Sequence, residues 1–194
     1  MTPEEALAAF EGSGAMLTGH FVLSSGRHSD RYVQKARLLE RPDVAMRAAR
    51  EIASWYPGIE VVVAPAVGAV SLGFAVALAS GARSVFAERV DDRMALRRGF
   101  ELASGERTLV VEDVVTTGGS AREVVDVVSD QGADLLGVAA LVDRSAGPVG
   151  LPLRALLRVE ARTWSPDDCP LCRAGRAFDS PGSRRLASPS EAGR

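Results

Sequence analysis

Between residues 61 and 159 the chain repeats one pattern: a short apolar run, a turn, and often a helix-length stretch of small and apolar residues. Val61–Ala64 leads through Pro65-Ala66-Val67-Gly68 into an Ala69–Ser80 helix stopped by Gly81. Arg83–Ala87 reads as a second strand. Arg107–Val111 is a third, followed by a loop and a helix to about Gln131, with Gly132 as its stop. Leu135–Val142 and Leu153–Val159 read as the fourth and fifth strands. Strands that are continuously apolar, rather than alternately so, are buried on both faces. That predicts an α/β fold with a mostly parallel central sheet flanked by helices.

The flanks read differently. Pro3–Gly12 patterns as a helix with Leu7 and Phe10 on its apolar face. Gly19 to Lys35 holds two short β-prone pieces broken by Ser24-Ser25-Gly26-Arg27. Asp43 reads as the N-cap of a helix running to about Tyr56, before Pro57-Gly58. The expected organisation is one domain over 1–178, with a small hood mainly from 15–40 and a core over about 43–160. Residues 179–194, rich in Ser, Pro, Gly and Arg, read as a disordered tail.

With 23 Lys plus Arg against 25 Asp plus Glu, the net charge of −2 argues against a surface built for nucleic-acid phosphates. No apolar run approaches the roughly 20 residues of a membrane span. The acidic, amphipathic start is wrong for a secretory signal, and two cysteines make no disulfide framework, so a cytoplasmic location is expected. Lys35 is the only lysine in the chain, so an anion site is expected to use arginines, backbone amides or metal.

The most informative segment is Thr108-Leu-Val-Val-Glu112-Asp113-Val114-Val115-Thr116-Thr117-Gly118-Gly119-Ser120, which runs straight into a helix. The glycines permit φ > 0, so backbone N–H groups, hydroxyls and the helix N-terminus converge into a cradle for a phosphate dianion. The two carboxylates would repel a bare phosphate but suit sugar hydroxyls and a hydrated divalent cation. Together they imply a ligand with a ribose and a 5-phosphate. The plainer alternative is a strand-turn-helix whose acids face solvent. Arg144, just past the fourth strand, suits bidentate capture of a planar carboxylate or carbonyl edge. Its plainer alternative is an ion pair with Asp143.

The Glu112–Ser120 segment resembles the phosphoribosyl-diphosphate signature of type I phosphoribosyltransferases. The resemblance implies that Glu112 and Asp113 bind the ribose hydroxyls, and that Val114, Val115, Thr116, Thr117, Gly118, Gly119 and Ser120 wrap the 5-phosphate. Gly19 to Lys35 resembles the N-terminal hood of the orotate phosphoribosyltransferase family, in which a Ser-Gly-Arg turn and a following aromatic close over the base. Ala64 to Gly68 resembles the family's pyrophosphate loop and implies that Ala66 and Val67 bind phosphoribosyl diphosphate. The likeness spans residues 10–160, and the Cys169-Pro-Leu-Cys172 tail is similar to a bacterial branch of the family.

The resemblance implies the type I phosphoribosyltransferase fold and transfer of a phosphoribosyl group to orotate in pyrimidine synthesis. It further implies orotate contacts from Thr116, Arg144, Ser25, Gly26, Arg27 and Tyr32. Mg²⁺ is implied as cofactor, with no direct protein ligand, held through substrate and water near Glu112 and Asp113. Arg89, Arg93, Arg97 and Arg98 fall in the implied mobile catalytic loop, which residues 89–99 of a homodimer would share across the interface; the plainer alternative is a solvated β-hairpin tip. Ser24 and Gly68 stand where familiar members carry lysine, and Ala95 where they carry histidine. The rival readings are a purine-type phosphoribosyltransferase and a nucleotide-sensing regulatory homologue without catalysis.

Cys169-x-x-Cys172 has metal-ligand spacing but supplies two of the four ligands of a structural zinc. A plain turn with two thiols is the expectation, with a four-cysteine site across a dimer as the alternative, because His20 and His28 are far away in sequence. His28, in the hood turn, reads either as a ligand contact or as a hairpin hydrogen bond.

Overall fold

The computed structural model describes residues 2–23, 26–160 and 162–181. Its centre is a six-stranded sheet built from β3 (Val61–Pro65), β4 (Arg83–Val90), β5 (Arg93–Leu96), β6 (Arg107–Val115), β7 (Asp134–Asp143) and β8 (Leu153–Arg158). The strand order is β5-β4-β3-β6-β7-β8, and every pairing is parallel except β4 with β5. All five expected strands are present. The alternation of side chains along a strand explains why their runs are apolar throughout. Val61, Val63, Val110 and Val138 pack on one face with α5 (Gly119–Asp130). Val62, Leu109, Val111, Ala139 and Leu141 pack on the other with α1 (Pro3–Gly12), α3 (Pro42–Ser54) and α4 (Val70–Ser80).

The first helix matches its expected bounds because its start is chemically marked. Thr2 caps it through Oγ1, which accepts from Glu5 N at 3.2 Å, while Glu5 returns a bond to Thr2 N at 2.9 Å. The helix expected to start at Asp43 instead has Arg41 at its cap position, with Pro42 opening it and Asp43 in its first turn. Pro at the first helical position needs no N–H donor and sets φ, which moves the boundary back.

The hood is a separate three-stranded antiparallel sheet ordered β1 (Met16–Val22), β2 (His28–Val33) and β9 (Thr163–Trp164). Two short helices complete the fold: α2 (Lys35–Leu39) follows β2, and α6 (Pro170–Arg173) follows β9. The expected tail begins too early. Asp179 N–H donates to His20 O at 2.8 Å and Asp179 O accepts from Val22 N at 2.9 Å, so the chain is still bonded to β1 there. Residues 182–194 lie outside the described residues.

Candidate active site

Strand order reverses between β3 and β6, because the chain passes from β3 outward to β4 on one side while β6 lies on the other. At such a switch point the loops leaving neighbouring strands diverge and open a crevice. β3 feeds the turn carrying Ala66 and Val67, whose peptide is cis. β6 delivers Glu112 and Asp113, both buried. Glu112 Oε1 accepts from Asp113 N at 3.0 Å, and Asp113 Oδ1 from Val114 N at 2.6 Å, so backbone fixes both carboxylates. Burial, reinforced by the charge of Asp113, pushes the Glu112 carboxyl up to about 8. The alternative of solvent-facing acids therefore does not hold.

Lys35, the first residue of α2, forms an ion pair with Asp113 Oδ2. The chain's single lysine is thus held by a buried carboxylate, beside the turn after β3. A Cβ at Gly68 would collide with both Lys35 Nζ and Asp113 Oδ2. The space a lysine at position 68 would enter is taken by the amino group of Lys35. The one available signal was that the chain spends its only lysine here; nothing in the spacing points from 35 to 68.

Residues 114–121 and Glu112 line a cavity of about 50 Å³. It thus contains every residue of the expected phosphate loop. Gly118 caps α5 in the left-handed region at φ 77°, where a Cβ would stand 3.1 Å from Val149 Cβ. Gly119, Ser120 and Ala121 form the first turn of α5, and N–H groups at that position have no acceptor inside the helix. They add positive dipole to the cavity wall.

A second cavity, of about 580 Å³, lies between the hood and the ends of β7 and β8; Asp30, Arg144, Arg158 and Thr163 are among its walls. Arg144 Nη2 donates to Arg31 O at 3.1 Å and reaches Ser29 Oγ at 3.5 Å. Its Nε is buried without a partner, as is Asp30 Oδ1. A buried N–H left unbonded costs about 1–3 kcal/mol, so this edge of Arg144 is fitted to an incoming acceptor. Burial also lowers the pKa of Arg144. The ion pair with its neighbour is not formed: Asp143 Oδ1 accepts from Ser145 N at 2.8 Å and Oδ2 faces Arg158 Nη1 at 3.9 Å.

The other expected contacts divide. Tyr32 is half-buried with its ring 5.7 Å from Phe21; it lines neither cavity, and the charges of Lys35, Asp113 and Arg144 act on its hydroxyl. Burial raises its pKa. Arg27 donates to Thr163 O at 3.0 Å and to Thr163 Oγ1 at 3.3 Å, joining the hood turn to β9 at the rim. Gly26 takes φ 76° in that turn; Ser25 lies outside the described residues. Thr116 lines the smaller cavity and not the larger. His28 lines neither, and its ring is bonded within the hood instead.

Residues 89–96 form the end of the β4–β5 hairpin, and residues 97–99 follow it in a turn. Asp91 and Asp92 both take positive φ, 46° and 63°, making a two-residue turn that pairs Val90 with Arg93. Arg89 pairs with Glu123 of α5 at 3.1 Å, and Arg98 with Glu88 at 3.0 Å. None of Arg89, Arg93, Arg97 and Arg98 lines either cavity.

The curated orotate phosphoribosyltransferase of Pelotomaculum thermopropionicum is 49% identical over 190 residues, 96% of this chain and 100% of that one. The chain belongs to the orotate phosphoribosyltransferase family. A solved orotate phosphoribosyltransferase from Aeropyrum pernix matches with a TM-score of 0.66 and 25% identity, over 79% of this chain and 93% of that one. The adenine phosphoribosyltransferase of Rhodothermus marinus matches with a TM-score of 0.64 at 19% identity, over 80% of this chain and 99% of that one. The type I phosphoribosyltransferase fold is therefore shared across base specificities, and family membership rests on sequence. No protein-family model matches the chain. Among the described residues no helix is long and apolar enough to cross a membrane.

Proposed function

We propose that this member of the orotate phosphoribosyltransferase family transfers the phosphoribosyl group of 5-phosphoribosyl 1-diphosphate to orotate, releasing pyrophosphate, in cytoplasmic pyrimidine synthesis. The carrying observation is the buried, unpartnered Nε of Arg144 in the larger cavity, with the acid pair leading into the phosphate loop lining the smaller one through Glu112. The loop at 114–120 anchors the 5-phosphate, Glu112 and Asp113 hold the ribose hydroxyls, and Arg144 holds a carbonyl or carboxylate edge of orotate. Gly26, Arg27 and Tyr32 shape the hood side of the base. The bond from the anomeric carbon to pyrophosphate breaks as the bond to the ring nitrogen forms, and oxocarbenium-like charge develops on the ribose.

Lys35 stands beside the pyrophosphate loop carrying Ala66 and Val67, where its charge opposes that of the leaving group. Asp113 is already occupied by Lys35, so the acid pair fits a magnesium ion held through water and substrate oxygens rather than by direct ligation. When bound, the ion supplies neutralisation of pyrophosphate charge. The hairpin arginines Arg89, Arg93, Arg97 and Arg98 serve a second copy's site in a homodimer. An apolar stripe supports that arrangement: Val67, Phe74 and Leu78 are 85%, 60% and 63% exposed at a seven- and four-residue spacing running from the pyrophosphate loop along α4.

Purified protein should consume orotate, followed by its absorbance, only with phosphoribosyl diphosphate and Mg²⁺ both present. Arg144→Ala should lower kcat/KM for orotate by roughly 30-fold or more, and Lys35→Met should lower kcat by about 100-fold. Turnover of adenine or xanthine in place of orotate would overturn the base assignment, and silence with every base would overturn catalysis.

A further inference from the structure

On the hood, away from both cavities, four side chains converge. His20 and His28 meet Cys169 and Cys172 with all four ligand atoms within 4.8 Å of one another. His20 Nε2 lies 2.8 Å from His28 Nδ1, 3.5 Å from Cys169 Sγ and 3.7 Å from Cys172 Sγ; Cys172 Sγ lies 3.2 Å from His28 Nδ1. Zinc bonds of about 2.0–2.1 Å to nitrogen and about 2.3 Å to sulfur give tetrahedral edges of about 3.3–3.8 Å. The four spacings, from 2.8 to 3.7 Å, fall within or just below those edges.

Local backbone features build this arrangement. A β-bulge between Thr18 and Phe21 interrupts the register of β1 against β2 around Gly19 and His20, and such an irregularity re-aims the side chain it carries. His20 and His28, on neighbouring strands, thereby turn toward the same point. The Cys169–Cys172 spacing places both sulfurs at the start of α6. His20 Nδ1 lies 2.8 Å from Arg176 O. A carbonyl only accepts, so that bond assigns the proton to Nδ1 and leaves the Nε2 lone pair facing the cluster, as metal-ligating histidines require. Phe178 packs against both imidazoles, at 5.8 and 5.7 Å between ring centroids, and shields the point of convergence. Cys169 is fully buried, and the two cysteines are free thiols, not a disulfide.

We propose that His20, His28, Cys169 and Cys172 bind one zinc ion that fastens the C-terminal segment to the hood. Two nitrogens and two sulfurs in a closed, nearly tetrahedral set leave no open position, so the site is structural. Both thiols release their protons to solvent as they ligate, and nothing is oxidised or reduced. The clip joins β1 and β2 to the turn around α6, and its His28 is followed directly by Ser29, which touches Arg144.

Metal analysis of the full chain, purified without chelator, should find about one zinc per chain. Exchange with cobalt should give the strong visible bands of a tetrahedral thiolate site. His20 is buried, so its replacement risks unfolding; Cys172 is exposed, and Cys172→Ser keeps the fold testable. That variant should lose at least about ten-fold in zinc content at a fixed chelator concentration, while Cys172→His, which offers a nitrogen ligand, should restore most of it. The melting temperature of the native chain should fall on chelation, and that of Cys172→Ser should not. Zinc held equally by native protein and Cys172→Ser would overturn the proposal as adventitious metal. A zinc-free native protein with both thiols open to a thiol reagent, or joined as a disulfide, would overturn it outright.

Discussion

Burial of Glu112 at a strand end, with the charge of Asp113 beside it, favours the protonated form of its carboxyl. Its carboxyl is raised to about 8 by burial and by Asp113, against an ordinary value of 4.5. The folded state therefore keeps a proton that the unfolded state gives up above the ordinary value. Stability from this group is full below that value and is lost as pH rises through about 8. The Glu112→Gln substitution mimics the protonated form and retains the acceptor facing Asp113 N. Calorimetric melting of ligand-free protein should give near-equal stabilities at about pH 5, with the variant gaining progressively by about pH 8; parallel curves would refute the assignment. At this scale the sequence was legible wherever residues act within one loop, as Glu112 to Ser120 do. It was silent on Lys35, because its partner Asp113 lies on a different element and only the tertiary fold brings an amino group beside Gly68.

The elements that carry the chemistry are those with marked ends. The helix α5 begins at a glycine whose φ of 77° turns the chain out of β6 and into the wall of the smaller cavity. Gly118→Ala should cost about 1 kcal/mol in strain and, by pressing on Val149, should displace the first turn. Denaturant melting should show the loss, and titration with phosphoribosyl diphosphate should show weakened binding beyond it. Unchanged affinity would separate the helix start from the phosphate site. The hairpin of β4 and β5 was not legible in the same way. Its turn places two aspartates, not glycines, at positive φ, so a hairpin stood only as the alternative to a mobile loop; what no local pattern shows is Glu123 of α5 bonded to both Arg89 and the N–H of Met94.

For the whole molecule, the unburied stripe of Val67, Phe74 and Leu78 demands an account, since Leu72, Val76 and Ala77 of the same helix are fully packed. A second copy seated there would bring its own α4 and the turn carrying Ala66 and Val67 close to this one. The paired substitution Phe74→Glu and Leu78→Glu should halve the mass seen by sedimentation equilibrium and reduce turnover by at least about ten-fold if hairpin arginines are shared. A native chain already monomeric at assay concentration would remove the homodimer. The α/β class and the sheet were open to sequence reading because each strand is locally apolar. The hood's third strand, two residues at 163–164, was not, having too little pattern to register.

That late third strand also sets an order of events on the ribosome. Arg27 and Thr163, bonded across the hood, are 136 positions apart. At synthesis rates of about 5–20 residues per second, the β2 edge waits roughly 7 to 27 seconds for its partner to be made. During that interval the hairpin is an open strand edge able to pair with another nascent chain. The six-stranded core, complete at Arg158, can close first, and the larger cavity gains its Thr163 wall only afterwards.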